Sequence, residues 1–315
     1  MSETPSTNRP PTPAHTPGPA PIWRMAHGRS LVLDRPRVMA ILNATPDSFS
    51  DGGLHLDPGL AAEAAARFIG DGADMLDIGG ESTRPGSARV DPDEQIRRVV
   101  PVIRAIREAG IGAPISVDTT RSAVAAQALD AGADAINDVS GGQEDPGIVD
   151  LAAERGCGLV LMHRLRPPDE DSFSDRYEVQ DRPEYGDVVR EVRAALDAMA
   201  RDARARGVDT DAIVLDCGLG FGKTVEQNLE LVRRSAELPP SMGEDSYPML
   251  GAASRKSFVG RISMGPGDSK PPAAGDRVGG SIAVSLAQLW GGVRLFRVHD
   301  VAAQAAALRA SWEMR

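Results

Sequence analysis

The stretch MLDIGGESTRPGS, residues 75–87, begins as a short strand-like run and breaks at once into glycine, acid, hydroxyl, arginine and proline. Residues 38–53, VMAILNATPDSFSDGG, make the same break earlier in the chain. Such residues suit a ligand better than a core, because binding and catalytic side chains concentrate on connections held by a rigid scaffold. Reading outward for the same arrangement gives eight strand candidates, beginning near Val38, Met75, Ile115, Ala135, Leu159, Ile213, Met249 and Leu295. Each precedes a segment of helical periodicity: 59–70, 92–109, 121–131, 146–155, 185–206, 225–236, 276–290 and 301–312. The first carries Leu60, Ala64 and Phe68 on one stripe, and the second opens with Asp91, Pro92 and Asp93, a helix-start signature.

Eight strand–helix repeats in one chain predict the α/β class and a closed (β/α)8 TIM barrel as a single domain. The structural rival is an open doubly wound sheet, which concentrates its glycine-rich turn after the first strand. Here Asn43, Asp77, Asp118, Asn137, His163, Asp216, Ser254 and then Arg297 with His299 end nearly every strand. In a parallel barrel all those ends open on the face where barrel active sites sit. Two stretches break the rhythm. Residues 164–184 are longer than the usual connection of about two to six residues, and residues 265–275 are rich in Gly and Pro. Each reads equally as a mobile lid or as a tolerated surface insertion.

A chain of 315 residues with 41% hydrophobic content can bury a large core, and about 250 residues suffice for a barrel of this kind. A formal charge of -10 argues against a nucleic-acid or anionic-membrane surface, while leaving room for an anionic small molecule met by local cations. Cys157 and Cys217 lack metal-ligand spacing and do not make a disulfide framework, so they read as buried thiols of a cytoplasmic protein. No apolar run reaches the roughly 18 residues of a membrane span. Residues 1–21 are rich in Pro, Thr and Ser without an apolar block and read as a disordered tail, leaving 22–315 as the catalytic domain.

At the rim, Asp118, Asn137 and Asp216 can read a flat heterocycle that presents N–H donors and ring acceptors; singly, each reads equally as a helix cap or a strand bridge. Arg84, Arg255, Lys256 and Arg297 lie at matching positions, and arginine suits bidentate phosphate contact. Asn43 and the turn at Thr45, Pro46 and Asp47 offer hard oxygen ligands for Mg²⁺. The run GLGFGKT at 218–224 looks like a phosphate-binding loop, but that motif needs four residues between its outer glycines and the spacing from Gly218 is one short. Its glycines fit close backbone approach instead, with Phe221 offering a ring face.

Taken in order, ILNATPDSFSDGG, GESTRPG, SVDT, INDVSG, LMH, GFGKT, SRKSF and RVHD resemble the dihydropteroate synthases, pterin-binding enzymes of folate biosynthesis targeted by sulfonamides. The resemblance runs from about Val38 to Leu308 and implies a transferase that joins 7,8-dihydropterin-6-ylmethyl diphosphate to 4-aminobenzoate, releasing 7,8-dihydropteroate and diphosphate with Mg²⁺. By similarity Asp118, Asn137, Asp216 and Lys256 hold the pterin, with Met162 packed on it. Asn43, Arg84, Arg297 and His299 hold the diphosphate, and Asn43 its metal. Thr83, Pro85, Phe221 and Ser257 border the aminobenzoate, with Asp47 and Phe49 on a closing loop. Asp216, Lys256, Arg297 and His299 are the implied catalytic set, Asp216 being held ionised against the ring. The family also implies a homodimer packed through helices late in the barrel, with small molecules rather than nucleic acid or membrane as partners. Ala44, Cys217 and Arg164 to Arg166 depart from the pattern, where Val, Pro and a Met-x-Gly turn are usual. A corrinoid-linked methyltransferase is the nearest rival, and Arg84 and the RVHD run argue against it because it needs no diphosphate site. A non-catalytic paralogue is the rival from another class; it would be expected to lose loop residues that stand here.

Overall fold

Short buried runs separated by capped helices close on themselves. The computed structural model describes residues 20–44, 57–242 and 245–314. Eight parallel strands form the barrel: β1 Arg37–Asn43, β2 Met75–Gly79, β3 Ile115–Asp118, β4 Ala135–Asp138, β5 Gly158–Met162, β6 Ile213–Asp216, β7 Met249–Gly251 and β8 Leu295–Val298. They pair in sequence order, and β8 returns to β1 to close the ring. The strands are covered on both faces, and β2 to β7 are buried at every residue.

Helices α1 Pro58–Gly70, α2 Pro92–Glu108, α3 Ser122–Asp130, α4 Gly147–Arg155, α5 Val188–Ala205 and α6 Val225–Arg233 follow the first six strands. The seventh is followed by α7 Ser257–Ile262 and α8 Val278–Trp290, and the eighth by α9 Val301–Glu313. The caps are legible: Asp57, Asp91 and Asp187 accept backbone N–H groups at the starts of α1, α2 and α5, and Thr224 with Gln227 forms a capping box on α6. All eight predicted strands and all eight predicted helices are present. The periodicity missed the six-residue α7 and two antiparallel ribbons, each too short to show a period.

The first ribbon pairs Ile22–Arg24 with Ser30–Val32. Its Trp23, with Met25, Leu31 and Leu33, packs against Met39, Met75, Ala135, Val160, Val214, Leu250 and Leu295 inside the barrel. The Trp23 indole N–H donates to Ala212 O at 2.9 Å. The ribbon therefore plugs the N-terminal mouth, and the ligand side is the other one. A second, larger apolar layer lies between strands and helices. Cys157 and Cys217 are fully buried, and burial pushes both thiols up to about 12. The predicted tail at 1–21 falls almost wholly outside the described residues.

Candidate active site at the C-terminal mouth

Strand register gathers the polar ends. Asn43 pairs with Gly79, Gly79 with Asp118 and Asp118 with Asn137, so four adjacent strands end on one rung. Further round, Met162 pairs with Asp216. Beneath that rung, Asp77 accepts from Ser116 Oγ at 2.6 Å, Asn137 Nδ2 at 3.1 Å and Arg297 Nε at 2.6 Å. Arg297 Nη2 donates to Asp118 Oδ2, also at 2.6 Å. One guanidinium thus serves two carboxylates. The other Asp118 oxygen is buried with no hydrogen-bond partner among the described residues. Burial pushes Asp118 up to about 7 against the pull of Arg297, and Asp77 adds to the rise. Asp138, the neighbour of Asn137, accepts from Ser140 N and Gly142 N and has the structural role.

Asp216 sits at the root of the loop joining β6 to α6. Its Oδ1 accepts from Gly218 N at 2.7 Å. Gly218 is obligatory here: φ is +66°, and a Cβ would lie 1.9 Å from His163 O. Burial raises the Asp216 carboxyl, while Lys256 and the Gly218 N–H pull the other way. Burial is the larger effect, so in the free protein it works against the ionised form expected from sequence, and those two groups oppose it only in part. The Lys256 ammonium donates to Leu219 O and lies 4.5 Å from the centroid of the Phe221 ring, a cation–π contact. Burial lowers it to about 8. Phe221, Met162 and Val139 form a small apolar cluster beside these charges, the combination a flat heteroaromatic needs.

The loop is knotted from below by Lys223, which is fully buried. Its ammonium donates to Gly218 O at 3.0 Å and Phe221 O at 2.9 Å, and meets His163 Nδ1 at 3.1 Å. Burial brings Lys223 to about 8, and burial with the Lys223 charge brings His163 to about 3. The sequence reading has Lys223 only within a failed phosphate motif and the GFGKT family run, and Asp77 as one more strand end, whereas Asp77 lies inside β2, beneath the rim. The signal for Lys223 was present: a lysine directly after five small or apolar residues, 218–222, in a glycine loop.

On the opposite side, Ser254 Oγ accepts from His299 N and meets His299 Nδ1, both at 3.1 Å. The hydroxyl can donate to Nδ1 or accept from it through its second lone pair, so this contact fixes the plane of the ring and not the nitrogen that carries its proton. Burial lowers His299 to about 3, and the charges of Arg297 and Arg255 add to that, keeping the ring neutral. Arg255 itself is tied to the loop after β8. At φ +61° it occupies the left-handed region, and its guanidinium pairs with Asp300, Nε to Oδ2 at 3.0 Å. Arg84 is exposed on the loop after β2, close enough for its charge to act on His299. Thr83 and Pro85 flank it, Ser257 begins α7, and Asn43 is half-buried at the end of β1. Asp47 and Phe49 lie outside the described residues. Among the described residues no group of three or more His, Cys, Asp or Glu is arranged to hold a metal.

The sequence that builds this mouth matches a known family. Residues 39–299 match the family model described as pterin binding enzyme. The chain belongs to the pterin-binding enzyme family. Within that family, the dihydropteroate synthase of Mycobacterium leprae is 43% identical over 87% of this chain and 91% of its own. Among solved family members, the Xanthomonas albilineans dihydropteroate synthase with 4-aminobenzoic acid superposes with a TM-score of 0.80 at 40% identity, covering 94% of this chain and 98% of that one. The Burkholderia cenocepacia dihydropteroate synthase complexed with 7,8-dihydropteroate gives 0.79 at 38% identity, covering 94% and 99%.

Proposed function

We propose that the chain is a dihydropteroate synthase, condensing 7,8-dihydropterin-6-ylmethyl diphosphate with 4-aminobenzoate to give 7,8-dihydropteroate and diphosphate. The observation that carries this reading is the buried, unpartnered Asp118 oxygen on the rung it shares with Asn137, beside a cationic rim. An acceptor left without a partner costs about 1–3 kcal/mol, and a pterin N–H would relieve it.

Asp118, Asn137 and Asp216 take the ring edge, while Met162 and the Lys256–Phe221 pair cover its face. As the C–O bond to the diphosphate breaks, the electron pair leaves with the oxygen and the methylene carbon becomes cationic. Asp216, the carboxylate nearest Lys256, favours that cation, so burial that strains the ion in the free protein is offset when charge develops on the ring. Arg84, Arg297 and His299 hold the departing anion. The arylamine, bordered by Thr83, Pro85, Phe221 and Ser257, attacks the carbon through its nitrogen lone pair, and the ammonium formed loses a proton to solvent. No strong base is required, because the arylamine is already neutral; positioning and electrostatics do most of the catalysis.

Mg²⁺ fits the donor set, since it keeps several waters and takes few protein ligands, and Asn43 supplies a hard amide oxygen at the mouth. When bound, it would neutralise charge on the diphosphate. A cytoplasmic homodimer completes the reading: α8 leaves Ala283, Ala287 and Trp290 exposed at helical spacing, and Trp290 is 56% exposed. No described helix is long and apolar enough to cross a membrane. The deciding experiment is diphosphate release by the purified protein. Release that requires the pterin diphosphate, 4-aminobenzoate and Mg²⁺ together, with dihydropteroate formed, supports the reading; tight pterin binding without release would indicate the non-catalytic paralogue.

A further inference from the structure

The long segment after β5 is neither a free lid nor a decorative insertion. Pro168, Asp171 and Ser174 within it are buried, as is Arg164 at its root. Toward the loop after β2, Pro168 O accepts from Gly86 N at 2.9 Å, and Asp169 Oδ1 accepts from Arg89 Nε at 2.8 Å. Arg89 also forks onto Glu144 at 2.7 and 2.9 Å, and Arg164 joins it on the same carboxylate. Toward the loop after β6, Asp171 Oδ2 accepts from Gly222 N at 2.7 Å, and the Tyr185 hydroxyl donates to Gly222 O at 3.1 Å. Asn228 Nδ2 donates to Ser174 Oγ at 3.1 Å. The approach at Gly222 is so close that a Cβ there would lie 2.9 Å from Leu165 Cβ. A single segment therefore holds the loop that carries Thr83 and Pro85 and the loop that carries Phe221.

We propose that residues 164–184 are a strap that fixes the spacing of the two walls of the arylamine subsite before substrate arrives, with Arg89 and Asp171 as the positioning residues at its two ends. The proposal rests on the condensation reading of the same site. Walls already in place reduce the ordering cost that an incoming arylamine must meet, so the effect falls on binding of that substrate. Both walls answer to one segment, so loosening either end loosens the subsite. Neither residue touches a substrate in the reading above.

Arg89→Met and Asp171→Asn in the full chain test this, with steady-state kinetics for each substrate and amide exchange of the ligand-free protein. Each variant is expected to raise KM for 4-aminobenzoate about tenfold while kcat and KM for the pterin diphosphate stay within about threefold. Exchange should quicken at 81–90 in Arg89→Met and at 218–224 in Asp171→Asn. The double variant should lose less than the product of the two, since both act through one strap. Arg89→Lys, which keeps the charge without the fork, should fall between Arg89→Met and wild type. Quickened exchange with an unchanged aminobenzoate KM would overturn the proposal, as would a lowered Tm with neither exchange nor KM altered. Should the wild type release no diphosphate, the functional reading fails separately, and unchanged exchange in Arg89→Met would still overturn the strap.

Discussion

Burial, with Asp77 close by on the same arginine, leaves Asp118 easy to protonate, and this has a consequence for activity. A protonated Asp118 loses acceptor capacity for a ring N–H, so kcat/KM for the pterin diphosphate should rise with pH through about 7. It should fall again as Lys256 loses its proton near about 8. These groups act on one another, so the profile reports values belonging to the cluster. Asp118→Asn should lower kcat/KM and abolish the rising limb; a limb that persists would place the titrating group elsewhere. Asp216→Asn should lower kcat about 10²-fold, the usual cost of removing one charge-stabilising group, while inhibition by diphosphate stays within about twofold. Equal losses in both would contradict the division between ring and leaving-group residues. Asp118, Asn137 and Asp216 were legible because each ends a strand. The pairing of Arg297 with Asp77 was not, because its partners lie on strands 220 positions apart in the chain.

At the scale of elements, the loop from β6 to α6 owes its form to Lys223. Lys223→Met would take the ammonium from Phe221 O, at about 1–3 kcal/mol, and leave Gly218 O with the Phe221 N–H alone. The expected outcome is a lower urea midpoint with a weakened aminobenzoate KM, since Phe221 rides on this loop. An unchanged midpoint would mean that the backbone finds other donors. Strand and helix positions came through in the sequence because parallel strands buried on both faces read as apolar runs and their helices as 3.6-residue stripes. The connection at 164–184 did not, because its bonds go to loops on both sides rather than along a period. Its composition is polar, as a solvated insertion would be, and what distinguishes the two is burial of residues such as Asp171 and Ser174 together with the bonds to its neighbours.

At the scale of the whole molecule, the two mouths of the barrel divide the work. The N-terminal one is sealed by the ribbon that carries Trp23, and the catalytic side chains stand at the other. Trp23→Ala should cost about 3–5 kcal/mol of stability, read as a fall in Tm, with kcat/KM of the remaining folded protein unchanged. A loss of activity out of proportion to unfolding would mean that the plug also tunes the far mouth. The ribbon escaped the sequence reading because three-residue strands carry too little alternation to stand out, whereas the barrel announced itself by repetition. The only two thiols in the chain, Cys157 and Cys217, lie in the other apolar layer, between strands and helices, where burial holds both in the protonated form. Neither should react with a maleimide while the protein is folded. A cysteine introduced at Val179, which is 77% exposed on the strap, would then be the sole point of attachment for a dye. The wild-type background thus already suits single-site fluorescence spectroscopy of that segment, with no native residue to delete first.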